Sequence, residues 1–175
     1  MGEPRAPERV KLIAGLLTSS ADLLRDVHRV LAAEFGAIDA ASDPTAWTES
    51  SYYAAEMGKT LWRQYVSFTP LIDPESLVRV KHRTNATENW WRVASPRRVN
   101  IDPGYLSATK LVLASTKDAA HRIYLGDGIY GEATLRYADG AWQPYPYTYR
   151  DYAGPIAGAF FNGVRSRFLT QRRSP

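Results

Sequence analysis

The chain has 175 residues, with 45% hydrophobic and 23% charged side chains, which is ordinary for one soluble globular domain with a self-sufficient core. It has no cysteine, which excludes a disulfide framework, a thiolate nucleophile and thiolate metal ligands. The net charge of +4 is carried by four arginines between residues 165 and 175. The rest of the chain therefore holds 18 basic and 18 acidic side chains, and that balance argues against nucleic acid as a partner.

Residues 1–9 are polar and contain proline, so a disordered N-terminus is expected, with no apolar stretch of signal-peptide type. No run of about 18 apolar residues occurs, so no membrane span is expected, and the cytoplasm is the expected location. Residues 10–17 are almost continuously apolar and read as an interior strand. Ser19 and Ser20 offer caps, and Leu24, Val27, Leu31 and Phe35 follow at helical spacing until Gly36. His28 lies off that stripe and reads as solvated.

A second strand begins at residues 37–40 and is broken by Ser42, Asp43 and Pro44. Residues 47–57 read as a polar-aromatic loop or short helix. Gly58, Lys59 and Thr60 resemble the end of a phosphate-binding loop, but the glycine required five positions earlier is Tyr53. Residues 61–68 read as another strand. Asp73 and Pro74 start a helix with Leu77, Val80, Thr84 and Trp91 on one face. Its run of Lys81, His82 and Arg83 reads as a solvated face, with Arg83 as the candidate for an anion contact.

A strand at residues 98–101 completes the order βαββαβ, which predicts an α+β, ferredoxin-like sandwich. Residues 110–115 form a further buried strand. Turn signals at Gly126-Asp127-Gly128 and Asp139-Gly140 extend the sheet as antiparallel hairpins. The Pro- and Tyr-rich segment 144–152 is expected to pack back over the sheet. Ile156, Phe160, Phe161, Val164 and Phe168 mark a last amphipathic helix. The expected organisation is one domain over 10–152, a docked C-terminal helix over 153–169 and a basic tail over 170–175.

Polar residues concentrate between the apolar strands of the second half. Arg98, Lys110, Lys117 and Arg122 supply cations, and Asn100, Asp102 and Asp127 supply donors and acceptors. This pattern predicts binding of a small anion such as a nucleotide or phosphate ester. Asn100 and Asp102 would orient its hydroxyl or base. A hydrolase would use His121 as general base with Asp102 as partner, and Ser115 or Thr116 nearby, although no nucleophile elbow surrounds that serine. His121 with Asp102, Asp127 or Glu132 could ligate a metal, but no His-x-His or His-Glu-x-x-His spacing supports one, so no metal site is assigned and no cofactor is named. A third reading is a protein-interaction module, or a homo-oligomer, built on the Tyr/Pro segment and the last helix.

Three motifs are specific: Val99-Asn100-Ile101-Asp102-Pro103-Gly104-Tyr105-Leu106, residues 110–117, and residues 121–130. With the first strand, residues 35–39, 52–58 and 148–152, they resemble the bacterial domain of unknown function DUF4416 over roughly residues 9–152. The resemblance supplies a family and no activity. Some of its members are labelled GTP-binding, a label that the incomplete phosphate loop does not support here.

Overall fold

The computed structural model describes residues 2–48, 57, 60–92 and 97–173. Strands β1 (Val10–Thr18), β2 (Ile38–Ala41), β3 (Thr45–Ala46), β4 (Trp62–Ile72), β5 (Val99–Leu106), β6 (Lys110–Ser115), β7 (Ile123–Gly126), β8 (Ile129–Ala138) and β9 (Ala141–Pro144) form one sheet. Helix α1 (Ala21–Phe35) follows β1, and α2 (Leu77–Glu88) joins β4 to β5. The chain ends with a short α3 (Arg150–Ala153) and α4 (Pro155–Gln171). The result is an α+β fold whose strand pairs, among the described residues, are all antiparallel.

The sheet order is β2-β4-β1-β5-β6-β8-β7, with β3 also on β4 and β9 also on β8. β1 is central, and its two faces supply two different cores. Leu12, Ala14 and Leu16 pack with Leu24, Val27 and Leu31 of α1 and Val80 of α2. Ile13, on the opposite face, joins Tyr65 and Leu106 under Phe161, Val164 and Phe168 of α4. Helices therefore cover both faces, which explains why β1 reads as unbroken apolar sequence rather than alternating.

Three expectations change in detail. His28 is half-buried, with Nε2 2.8 Å from Gln64 Oε1, because Gln64 of β4 lies beneath α1. Lys81 is 6% exposed, so the Lys81–Arg83 run is not a uniformly solvated face. Arg83 pairs with Glu34 of α1 through Nε at 2.6 Å and Nη2 at 2.8 Å, which makes it a bridge between helices. Gly58 and Lys59 of the partial phosphate loop, and most of the 47–57 segment, lie outside the described residues.

Candidate functional site

The sheet divides between β5 and β6. β5 pairs with β1 along its whole length to Val99, and β6 pairs with β8 as far as Ser115. Against each other, β5 and β6 pair only at Gly104–Leu113, Tyr105–Val112 and Leu106–Leu111. The cause stands in the sequence. The amide and carbonyl of Ile101 point away from β1, and residue 103 points the same way because backbone direction repeats every two residues. Residue 103 is proline, which has no N–H to give to β6, so the ladder stops there. Its neighbour Gly104 allows the last close pair: a Cβ there would stand 2.3 Å from the Val112 carbonyl oxygen.

Helix α2 finishes the exposed edge of β5. Glu88 accepts the Ile101 N–H at 2.7 Å, and Lys81 Nζ donates to the Ile101 carbonyl at 3.2 Å. Burial pushes the Glu88 carboxyl above its ordinary pKa, opposed by Lys81 and Arg97. With its edge groups satisfied, the gap stays open as a cleft of about 790 Å³. That size suits a small molecule.

One wall comes from β4, β5 and α3. Arg63, 6% exposed, donates from Nε to Asp151 Oδ2 at 2.7 Å and also from Nη2, while Tyr65 donates its hydroxyl to the same oxygen at 3.1 Å. Burial works against the Arg63 charge, but Asp151, Tyr152, Tyr65 and Asp102 hold its pKa well above the ordinary value. Asp102 Oδ2 is 3.5 Å from Arg63 Nη1 and accepts the Asn100 amide at 2.8 Å. Behind this wall the Tyr152 hydroxyl is buried without a hydrogen-bond partner among the described residues. It fits there because β1 carries Gly15, where a Cβ would lie 2.3 Å from it.

The facing wall comes from β6, β8 and the loop between β6 and β7. Arg122 donates to Glu132 at 2.9 Å, to the Lys117 carbonyl at 3.0 Å and to the Tyr149 hydroxyl at 2.8 Å. Glu132, 2% exposed, also meets His121 Nε2 at 3.1 Å and accepts from Thr134 at 3.2 Å. The His121 ring stacks on Tyr147 at 4.3 Å, and Tyr145 stacks on Tyr147 at 5.3 Å. Burial raises the Tyr149 hydroxyl pKa, with Arg122 pulling the other way.

Of the residues singled out in the sequence, Asn100, Asp102, Lys117 and Arg122 line this cleft, with Ser115 and Thr116. His121 sits just behind, and its carboxylate partner is Glu132 rather than Asp102. Arg98 is exposed before β5, with its carbonyl accepting the Ser19 amide. Lys110 is exposed at the far end of β6, opposite Arg136. Asp127 occupies the β7–β8 turn at φ 47°, and its carbonyl is 3.0 Å from His82 Nε2. Sequence reasoning missed Arg63, Lys81 and Asp151. The signal for Arg63 was a charge inside an otherwise apolar strand, and for Asp151 its place in the 148–152 motif.

Among the described residues the lining carries six cationic side chains (Arg63, Lys81, Arg97, Lys117, Arg122, Arg150) and three acidic ones (Asp102, Glu132, Asp151). No group of three described His, Asp or Glu side chains is arranged to hold a metal ion. No described helix is long and apolar enough to cross a membrane. A family model described as a domain of unknown function, DUF4416, matches residues 8–168. No curated protein and no solved structure matches the chain.

Proposed function

As the chain belongs to the DUF4416 family, whose description assigns no activity, we propose from the site itself that the cleft binds a small anionic molecule, a phosphate ester or nucleotide. The observation that carries this reading is the excess of cations over carboxylates in an open cleft of about 790 Å³. Arg122 is the principal anchor. Its side chain is 8% exposed and fixed by Glu132 and Tyr149, so little entropy is lost in presenting it. Lys117 adds a point charge on the same wall, and Asn100 and Asp102 of β5 orient the uncharged part of the ligand. Arg98, Lys110 and Asp127, outside the lining, have no part in this reading. A phosphorylated metabolite also accords with a cytoplasmic protein.

The test is thermal unfolding against nucleotides, sugar phosphates and inorganic phosphate. A ligand at about 100 times its dissociation constant stabilises the native state by about 2.7 kcal/mol. The shift should vanish in Arg122→Ala/Lys117→Ala; persistence of the full shift there would sink the proposal.

A hydrolase reading keeps one supporting observation, the imidazole–carboxylate pair of His121 and Glu132 at the edge of the cleft. It predicts turnover that disappears in His121→Ala while the fold survives. The order β2-β4-β1-β5, with α1 after β1 and α2 before β5, supports reading this half of the sheet as a ferredoxin-like unit to which β6–β9 are added. The interaction-module reading is weakened because Phe161, Val164 and Phe168 of α4 are already spent in the core.

A further inference from the structure

We infer that the ligand is a polyhydroxylated phosphate, a sugar phosphate rather than a nucleotide; this rests on the anion-binding reading above. The first observation is an unused acceptor. Asn100 and Arg63 both engage Asp102 through Oδ2. Among the described residues nothing donates to Asp102 Oδ1, although this side chain is 28% exposed and lines the cleft. A carboxylate oxygen accepts and cannot donate at neutral pH, so its ligand partner must carry a hydrogen-bond donor. A simple dianion would meet repulsion at that point.

The second observation is a donor with spare capacity. Lys81, 6% exposed, also lines the cleft; among the described residues its one hydrogen bond is to the Ile101 carbonyl, and its charge lies near the Glu88 carboxylate. An ammonium carries three N–H groups, so it can donate to a ligand as well as to Ile101. Asp102 and Lys81 therefore present an acceptor and donors from opposite sides of β5. Hydroxyl groups both donate and accept, and suit such a pair. Asn85, Ser115, Thr116 and Thr148 add further polar contacts around the rim.

The third observation concerns the rings. A nucleobase gains much of its affinity by stacking on an aromatic face. Of the three aromatic rings in the lining, Tyr147 is already stacked against both His121 and Tyr145, and Trp47 carries the Arg63 guanidinium over its ring at 5.5 Å. Tyr149, 48% exposed, is tied at its hydroxyl to Arg122, so one ring stands against many polar side chains, which favours a sugar over a base. In the bound state the phosphate lies toward Arg122 and Lys117, and the sugar hydroxyls lie toward Asp102 and Lys81.

The test is a set of titrations of the full chain with a pentose phosphate, a hexose phosphate, an alkyl phosphate of similar size, a nucleoside monophosphate and inorganic phosphate. The sugar phosphates should bind about tenfold tighter than the alkyl phosphate, the factor expected of one hydrogen bond to a charged group. Asp102→Ala should erase that preference, because it removes the acceptor that an asparagine amide oxygen would partly keep. Equal affinity for sugar and alkyl phosphates on the unaltered chain would overturn the inference and leave the anion site standing. Tighter binding of the nucleoside monophosphate would overturn it in favour of a base. Absence of binding by every anion would remove the anion site itself.

Discussion

Glu88 Oε1 receives the backbone N–H of Ile101 at 2.7 Å, so a helix side chain completes the hydrogen bonding of a strand edge that the sheet leaves open. Lys81 does the same for the Ile101 carbonyl at 3.2 Å. The opening of the sheet is thus a hydrogen-bonded structure in its own right, with a partner for each polar group of Ile101 that faces the cleft.

Replacing Glu88 with Leu should therefore cost about 2–4 kcal/mol, because it strands a buried amide and leaves Lys81 and Arg97 without their carboxylate. Urea unfolding measures this directly. A loss below about 0.5 kcal/mol, the range of an inconsequential surface change, would mean the edge is not sealed in this way.

Arg63 and Asp151 form a buried pair, with side chains 7% and 8% exposed. Removing one partner leaves the other charged and desolvated, so Arg63→Leu should destabilise by about 3–5 kcal/mol. The double variant Arg63→Leu/Asp151→Leu should lose less than the sum of the two single changes. Additivity within about 0.5 kcal/mol in a double-mutant cycle would argue against the pair.

Gly15 and Tyr152 compete for one space. Gly15→Ala sets a Cβ 2.3 Å from the Tyr152 hydroxyl and should cost about 1–3 kcal/mol by overpacking. That hydroxyl has no hydrogen-bond partner among the described residues, so Tyr152→Phe alone should change stability by less than about 1 kcal/mol. In the Tyr152→Phe background the alanine should be better tolerated, which thermal unfolding of the four proteins would reveal.

Half-buried His28 and buried Glu88 give opposite slopes of stability with pH. The His28 pKa is lowered from 6.5, first by burial, so the unfolded chain takes the proton earlier and stability falls as pH drops below 6.5. Glu88 is raised from 4.5, also by burial, so the folded chain holds its proton longer and stability falls as pH rises above 4.5. His28→Asn should flatten the first slope and Glu88→Gln the second in denaturation series across pH. An unchanged slope in either variant would remove that residue from the account.

The fold was legible wherever burial writes a period into the chain. β1, α1 and α4 each announce themselves by apolar spacing, and the turns at Asp127 and Asp139 adopt positive φ, as their Asp-Gly pairs suggest. The candidate site was legible as a region only in that Asn100, Asp102, Lys117 and Arg122 line one cleft. What could not be read was pairing across the chain. Lys81 looked like part of a solvated run because nothing local states that it will seal a strand lying 20 residues further on. Arg98 and Lys110 looked equivalent to Arg122, and only the direction in which each residue's strand or loop presents its side chain separates them.

Pro103 has one more consequence. The hairpin of β5 and β6 closes at residues 107–109, and its three pairs run outward from that turn before proline ends them. The depth of the cleft is accordingly a length measured along the chain, counted in residues from the turn to a single imino acid. At about 3.4 Å per residue, moving that proline by two positions would move the cleft floor by about 7 Å. A pocket specified this way is tuned by the address of one residue, with Ile101 and Tyr105 as the positions that a shift of two would exchange.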